Sequence, residues 1–336
     1  MSEQDLNSTI RMDAFYKRLF YLSYSSLSRI LYSPSLFYKE YILLDKEEKL
    51  QSHLVDGKVI HCLLLDDGSF DKDFMIMPTT LPGDSLRNVI DQVFNNPDIV
   101  NNEFLRDHEQ DILDVLASIN LHQSLKTDAQ RLDKIFTLEG INYWGFLMIK
   151  KDKILLDAPT MYRCNEAVAA LRAHPEVAEL LGLLTTEMDN VEIFNEKYLQ
   201  IEKSHTGKSF GMKGIVDNYK IDHDKKIIFI NDLKTTGKSI TDFPNAIEYY
   251  NYWAQAAMYF NLIYTLHQDL IKKGYTIQFT FIVIDKYNQI YPFSVSTDTM
   301  TEWLTKLGEK LNEVEWHYVN KEYKLPYIFA TGKVIL

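Results

Sequence analysis

The sequence predicts an α/β protein in which a mixed β-sheet is flanked by helices and preceded by a largely helical N-terminal half. Three observations carry this reading. Five β-branched and aromatic runs crowd residues 191–295, helical patterning dominates residues 12–184, and one helical stretch at 244–273 separates the third run from the fourth. Strands, then a crossover helix, then strands again describe a mixed sheet with helical layers. With 336 residues, 46% hydrophobic and 13% aromatic, the chain can bury a well-packed core. It is expected as a single domain, 1–336, with a mainly helical part over 12–185 and a sheet core over 186–336.

Residues 12–43 read as helical, with a break at Tyr32-Ser-Pro34-Ser. A second helix is expected from Glu47 to Leu65, crossing Gly57, before the turn-forming Asp66-Asp-Gly-Ser. Phe74-Met-Ile-Met-Pro reads as a short strand followed by a loop over 79–84. Helical segments follow at 106–119, 132–137 and 160–172, and His174-Pro-Glu176 opens another, with proline in the first turn where its missing N–H is harmless. The strands are expected at 191–201, 211–221, 226–231, 278–285 and 290–295, and a last helix at 299–314.

Composition narrows the class. No run approaches the roughly 20 apolar residues of a membrane span. The first residues, Met1-Ser-Glu-Gln-Asp-Leu-Asn, lack the cationic and apolar regions of a signal peptide. Cys62 and Cys164 cannot build a disulfide framework or a four-cysteine iron–sulfur site, and they fit a reducing cytoplasm. The net charge of −11 counts against a nucleic-acid binder. Residues 203–238 run the other way, with eight lysines against four aspartates, a local excess of four positive charges.

That basic stretch holds the chemistry. Asp217 lies on one expected strand and Asp232 and Lys234 on the next, joined by the turn-like Asp222-His-Asp-Lys225. A tight hairpin would bring the two aspartates side by side, and Asp232 and Lys234, two residues apart, would share a strand face. Paired carboxylates are hard oxygen ligands suited to Mg²⁺ or Mn²⁺ rather than zinc. A lysine beside them can hold or deprotonate a water and offset charge on a phosphorane-like transition state. An Asp-x-Lys triplet by itself is a common surface motif, so its context decides.

The context is a resemblance. Ser23-Tyr-Ser25-Ser-Leu27 followed by Ser33-Pro34 and Phe37-Tyr38, Gly57-Lys-Val-Ile-His61, Gly214-Ile-Val-Asp217 with Asp232-Leu-Lys234-Thr-Thr236, and Tyr252-x-x-Gln255-x-x-x-Tyr259 stand in order along the chain. Together they resemble the PD-(D/E)xK nuclease superfamily in its RecB-like branch, over residues 20–300. Leu54 to Leu65 and Ala170 to Pro175 are similar to segments of phage recombination exonucleases of the RecE type. The resemblance implies a restriction-endonuclease-like core and a Mg²⁺- or Mn²⁺-dependent DNA exonuclease that resects duplex ends for recombination or repair. It also implies DNA as partner, with a single-strand annealing protein and self-association as further expectations. Relatives with an iron–sulfur cluster carry a cysteine before the opening proline; here Ser33 stands there, so no cluster is expected.

By the resemblance, Asp217, Asp232, Lys234 and Gln255 are the catalytic group, and His61, Asp217, Asp232 and the Leu233 carbonyl hold the metal. Taken alone, His61 on an apolar helix reads more readily as a packed core histidine. Gln255 would orient Lys234 or a substrate phosphate, with Tyr259 on the same helix face. Gly214, Lys213, Thr235, Thr236 and Tyr259 are candidate substrate contacts; a strand irregularity explains Gly214 nearly as well. Glu192 is the candidate extra carboxylate, while Glu196 reads as a solvated strand residue. Lys203, His205 and Lys208 could steer DNA, or be an ordinary charged loop. Two other functions stay open: a non-catalytic DNA-binding or assembly protein on this fold, and a structure-specific endonuclease.

Overall fold

The computed structural model describes residues 3–46, 52–78, 80–101, 103–150, 153–183, 190–332 and 334. The expected helix start at 47–51, Thr79 of the expected loop, and residues 184–189 around the expected 185/186 division lie outside the described residues. The chain divides into two compact units, Met1–Asp67 with Asn165–Leu336, and Gly68–Cys164. The helical stretch expected over 12–185 is therefore shared between them.

The first unit begins with α1 (Glu3–Lys17), β1 (Tyr21–Leu22), α2 (Tyr24–Tyr32), α3 (Pro34–Phe37), a π-helical turn (Tyr38–Ile42) and α4 (Ser52–Leu65). The helical stretch expected over 12–43 breaks twice, once before α2 and again at the expected place after Tyr32. At the first, the chain extends as β1, and Ser23 then caps α2 in a reciprocal pair with Ser26. At the second, Ser33 accepts from the Leu36 N–H and Pro34 opens α3.

The second unit contains α5 (Phe70–Asp73), β2 (Phe74–Ile76), α6 (Asp84–Phe94), α7 (Glu109–Ser118), α8 (Asp128–Asp133), α9 (Leu138–Lys150) and β3 (Ile154–Leu156). Its helices close over Ile90, Ile112, Leu116, Trp144 and Leu147, and β2 and β3 form a two-stranded parallel ladder. β3 carries no strong strand pattern in the sequence. α10 (Ala158–Ala173) runs through the division between the units.

The first unit resumes with α11 (Pro175–Leu181), β4 (Val191–Ile201), α12 (Lys203–Thr206), β5 (Gly211–Asp222) and β6 (Ile227–Thr236). It continues through α13 (Phe243–Tyr249), α14 (Tyr252–Leu266), α15 (Gln268–Lys272), β7 (Thr276–Asp285), β8 (Ile290–Val295), α16 (Thr297–Asn320) and α17 (Tyr327–Thr331). The expected helix over 244–273 is three pieces, because Asn251 takes a left-handed conformation (φ +58°), which asparagine tolerates, and His267 ends α14. β6 runs five residues beyond its expected end, so Asp232 and Lys234 sit inside the strand.

The sheet is mixed. β4 pairs with β5 antiparallel from Val191↔Asp222 to Ile201↔Met212. β5 also pairs with β1 in parallel at Tyr21↔Gly211 and Leu22↔Met212, and with β6 antiparallel from Asp222↔Ile227 to Asn218↔Asn231. β6 and β7 are parallel, joined by the α13–α15 crossover, and β7 and β8 close an antiparallel hairpin. α14 lies over the sheet, with Trp253, Ala254, Ala256, Ala257, Met258, Leu262 and Ile263 fully buried in the main core. Its small residues let the helix approach closely, and burial of this face is what holds it there. No helix among the described residues is long and apolar enough to cross a membrane.

Candidate metal centre

The site forms where β5 and β6 part. Their ladder ends at Asn218↔Asn231, and the next residues are Asp217 and Asp232. Beyond the last pair, the Leu233 N–H has no strand partner on this side. The Asp217 carboxylate takes that place, its Oδ2 accepting from Leu233 N at 2.8 Å. The pleat of β5 also breaks here. Gly214 faces Tyr259 and Leu262 of α14, whereas Asn218 and Lys220, of the same parity, bond to the Leu181 and Glu179 carbonyls of α11. Regular alternation would put all three on one face.

α4 delivers His61 to this fork. A Cβ on Gly57 would stand 2.9 Å from Thr235 Oγ1, so the glycine lets the helix lie against β6. One turn later His61 Nε2 is 3.0 Å from the Leu233 carbonyl oxygen. Four helical residues advance about 6 Å and two strand residues about 6.6 Å, so the two contacts match. The Gly57-x-x-x-His61 spacing is thus a packing rule that aims an imidazole.

The other imidazole nitrogen faces carboxylates. His61 Nδ1 is 3.5 Å from Glu196 Oε1 and 3.7 Å from Asp217 Oδ2, and ligand atoms of these three residues lie within 4.8 Å of one another. Glu196 stands opposite Asp217 at the position where the β4–β5 ladder passes from Asn195↔Asn218 to Lys197↔Val216, with left-handed backbone at φ +44°. Glu192, the expected extra carboxylate, is elsewhere: its Oε1 is 2.8 Å from His223 Nε2, and His223 Nδ1 is 2.8 Å from the Tyr275 hydroxyl. Glu196, which by its sequence reads as a solvated strand residue, is the glutamate that stands beside His61 and Asp217.

Asp232 is fully buried and ion-paired to Lys234, as expected for two residues on one strand face. Burial pushes its carboxyl up to about 6, Lys234 opposes the rise, and Asp217 adds to it. Burial works against the Lys234 ammonium, but Asp232 and then Asp217 outweigh it and raise its pKa above the ordinary value. The ammonium also sits over the Tyr252 ring, 5.0 Å from its centroid. His61 behaves similarly: burial opposes its charge, while Asp217 and Glu196 together raise its pKa.

The remaining candidates fall into place around this group. Gln255 donates to the Tyr259 hydroxyl at 3.0 Å, and its Oε1 is buried with no hydrogen-bond partner. A Cβ on Gly214 would be 2.8 Å from Tyr259 Cε1, so this glycine makes room for a ring of the core rather than for substrate. Thr235 abuts Gly57, and Thr236 Oγ1 accepts from the Lys238 N–H, closing the turn after β6. Lys213 is half-buried on β5 opposite Gln200. Lys203 and His205 are exposed on α12, and Lys208 is tied to Asn312 of α16 at 2.5 Å.

One feature was not expected: a row of amides beside the carboxylates. Asn231 donates to Asn218 at 2.7 Å and Asn218 donates to Asn195 at 2.7 Å, across three adjacent strands. The same Asn231 and Asn218 amides donate to the Leu180 and Leu181 carbonyls, and Lys220 donates to Glu179 O at 2.6 Å. The Leu180 and Leu181 carbonyls at the end of α11 are thereby satisfied from the sheet, and Glu179 O, which also accepts from the Gly182 N–H, gains a second donor. Single asparagines at strand positions give little signal in a sequence.

The side chains fit a divalent cation. Glu196 Oε1 and Asp232 Oδ1 are buried and lack a hydrogen-bond partner, Asp232 Oδ2 being taken by the Lys234 ammonium, and 3.5 Å from His61 is too long for a good bond to Glu196. Anionic oxygens left this way, beside an imidazole, are the donor set of a hard or borderline divalent ion. No family model and no curated protein matches this chain. A crystal structure of a "putative exonuclease" from Eubacterium rectale resembles it at 12% identity and a TM-score of 0.48, over 96% of this chain and 87% of that one. No family is thereby assigned.

Proposed function

We propose that the protein is a Mg²⁺- or Mn²⁺-dependent deoxyribonuclease, an exonuclease acting on DNA ends. The observation that carries this reading is the row Glu196, Asp217, Asp232 at the parting of β4, β5 and β6, with His61 on one side and the Lys234 ammonium on the other. Three carboxylates gathered here, with Glu196 Oε1 and Asp232 Oδ1 left without a partner, are costly to bury unless a cation belongs among them. A divalent ion held by His61, Glu196 and Asp217, with Asp232 adjoining, would supply Lewis-acid polarisation of a phosphoryl oxygen.

The chain's own groups then divide the work. Asp217 is oriented by the Leu233 N–H and His61 by its two neighbours, so the ligands are aimed before substrate arrives. Lys234 is fixed by Asp232 and the Tyr252 face. With its pKa raised, it stays an ammonium at neutral pH, so its part is to neutralise charge on the phosphate rather than to take a proton from water. Tyr259, whose hydroxyl is kept neutral by burial, accepts from the Gln255 amide, whose carbonyl oxygen is left without a hydrogen-bond partner.

DNA ends as substrate, resection for recombination, an annealing-protein partner and self-association come with the family resemblance. Retention of all of Asp217, Asp232 and Lys234 disfavours a purely non-catalytic assembly role. The test compares end-labelled linear DNA with closed circular DNA in Mn²⁺ or Mg²⁺. Linear DNA is expected to be degraded from its ends while circles persist. Equal degradation of circles makes the protein an endonuclease, and no cleavage of either leaves the non-catalytic alternative.

A further inference from the structure

Between α13 and α14 the chain turns sharply at Tyr250-Asn251, and the tyrosines there are not buried. Tyr249 is 78% exposed and Tyr250 48% exposed. Their rings meet edge to face with centroids 4.8 Å apart, and the Tyr250 ring is 5.5 Å from that of Tyr252. Tyr252 in turn lies under Lys234, whose Nζ is 5.0 Å from its centroid. An unbroken line of aromatic rings therefore leads from solvent to the ammonium of the candidate centre.

The line is held in place by the backbone. Tyr24 donates to the Tyr250 carbonyl at 2.6 Å, and the Tyr250 N–H donates to Ala246 O at 2.9 Å. Asn251 fixes the bend by its left-handed conformation. The acidic neighbour Glu248 is paired with Lys306 at 2.8 Å. Two large rings this exposed, packed on each other and on Tyr252, contribute little to the core. Their use must come from something that covers them.

We infer that Tyr249 and Tyr250 are a stacking platform for unpaired nucleobases of the DNA strand whose phosphate lies at Lys234. This rests on the nuclease reading above and adds a specificity element to it. A nucleic-acid strand offers the two chemistries that the line presents: an anionic backbone for the inner ammonium, and flat bases for the outer rings. Stacking on aromatic side chains is sequence-tolerant, since every base has a π-face. A duplex end would have to fray to use the platform, so strands with unpaired ends are the favoured substrate.

The experiment measures affinity in Ca²⁺ for two single-stranded probes of about ten nucleotides: oligothymidylate, and an abasic deoxyribose-phosphate oligomer of equal length. The wild type should prefer the thymidylate. Tyr249→Ser with Tyr250→Ser should weaken thymidylate binding by roughly tenfold or more and leave abasic binding unchanged, while Tyr249→Phe with Tyr250→Phe should keep the preference. Equal wild-type affinity for both probes, or equal loss in the Ser and Phe pairs, overturns the platform. If the wild type cuts DNA yet shows no base dependence, only the platform falls. If it neither binds either probe nor cuts DNA, the nuclease reading falls and the platform with it.

Discussion

Glu196 stands directly across from Asp217 on neighbouring strands, at the position where their ladder is interrupted and where Glu196 holds a left-handed backbone. Such a conformation costs a residue other than glycine on the order of 1–3 kcal/mol. With it, the Glu196 carboxylate lies 3.5 Å from His61 Nδ1 and within 4.8 Å of an Asp217 ligand atom.

The two glutamates of β4 therefore separate in experiment. Glu196→Gln is expected to remove most of the thermal stabilisation given by Mn²⁺ and to cut DNA cleavage by roughly 10²-fold. Glu192→Gln, which loses only its contact to His223, should retain both. Melting curves with and without Mn²⁺ decide the point. A normal Mn²⁺ shift in Glu196→Gln would move the metal away from this cluster.

Lys234→Ala should lower the cleavage rate by roughly 10²-fold or more while changing DNA affinity in Ca²⁺ much less. Arginine should rescue poorly, because its planar fork cannot place a compact charge between Asp232 and the Tyr252 ring. Normal turnover with weakened binding would reduce the lysine to a phosphate clamp.

The metal-free protein should lose stability as pH rises through the carboxylate and histidine ranges. Burial raises Asp232 to about 6 from an ordinary 3.8, so its folded form holds a proton that the unfolded chain has released, and that advantage fades across this interval. His61 is raised above its ordinary 6.5, so its contribution, complete below that value, is lost as pH rises past it. Asp217 contributes to both shifts. Asp217→Asn keeps an acceptor for the Leu233 N–H and should flatten the loss, with a higher melting temperature than wild type in EDTA at neutral pH. Parallel melting curves for the two proteins across this range would contradict the electrostatic account.

The amide row is expected to matter for stability as well as for the site. Asn231→Ala strips a donor from Leu180 O and from Asn218, leaving buried acceptors at about 1–3 kcal/mol each. A denaturation midpoint within error of wild type would show that water replaces the amide.

Much of this was legible from residue order. The strands at 191–201 and 290–295 match their expected bounds, and β5 differs by one residue, because alternating β-branched and aromatic runs between turn residues leave few other solutions. The pairing of Asp232 with Lys234 follows from a two-residue period and needs no knowledge of the rest of the chain. Gly57 and His61 were legible as a spacing, though not as the reason for it: a helix pressed on a strand with no room for a methyl group. The helix expected over 244–273 shows the limit, since nothing local requires Asn251 to turn left-handed where the packed helix must change direction.

Sequence by itself determined which chemical groups are present, which strand or helix carries each, and that Asp217, Asp232 and Lys234 belong to adjoining segments. Tertiary structure decided which glutamate joins them. The strand bounds alone do not say which residue of β4 faces Asp217; the ladder pairs Ile201 with Met212 and so sets Glu196 there. A slip of one residue exchanges the two faces of a strand, and strand propensity is indifferent to it. Register is fixed by what the whole sheet buries and by where the Asn195, Asn218 and Asn231 amides find partners, which no single segment of the chain contains.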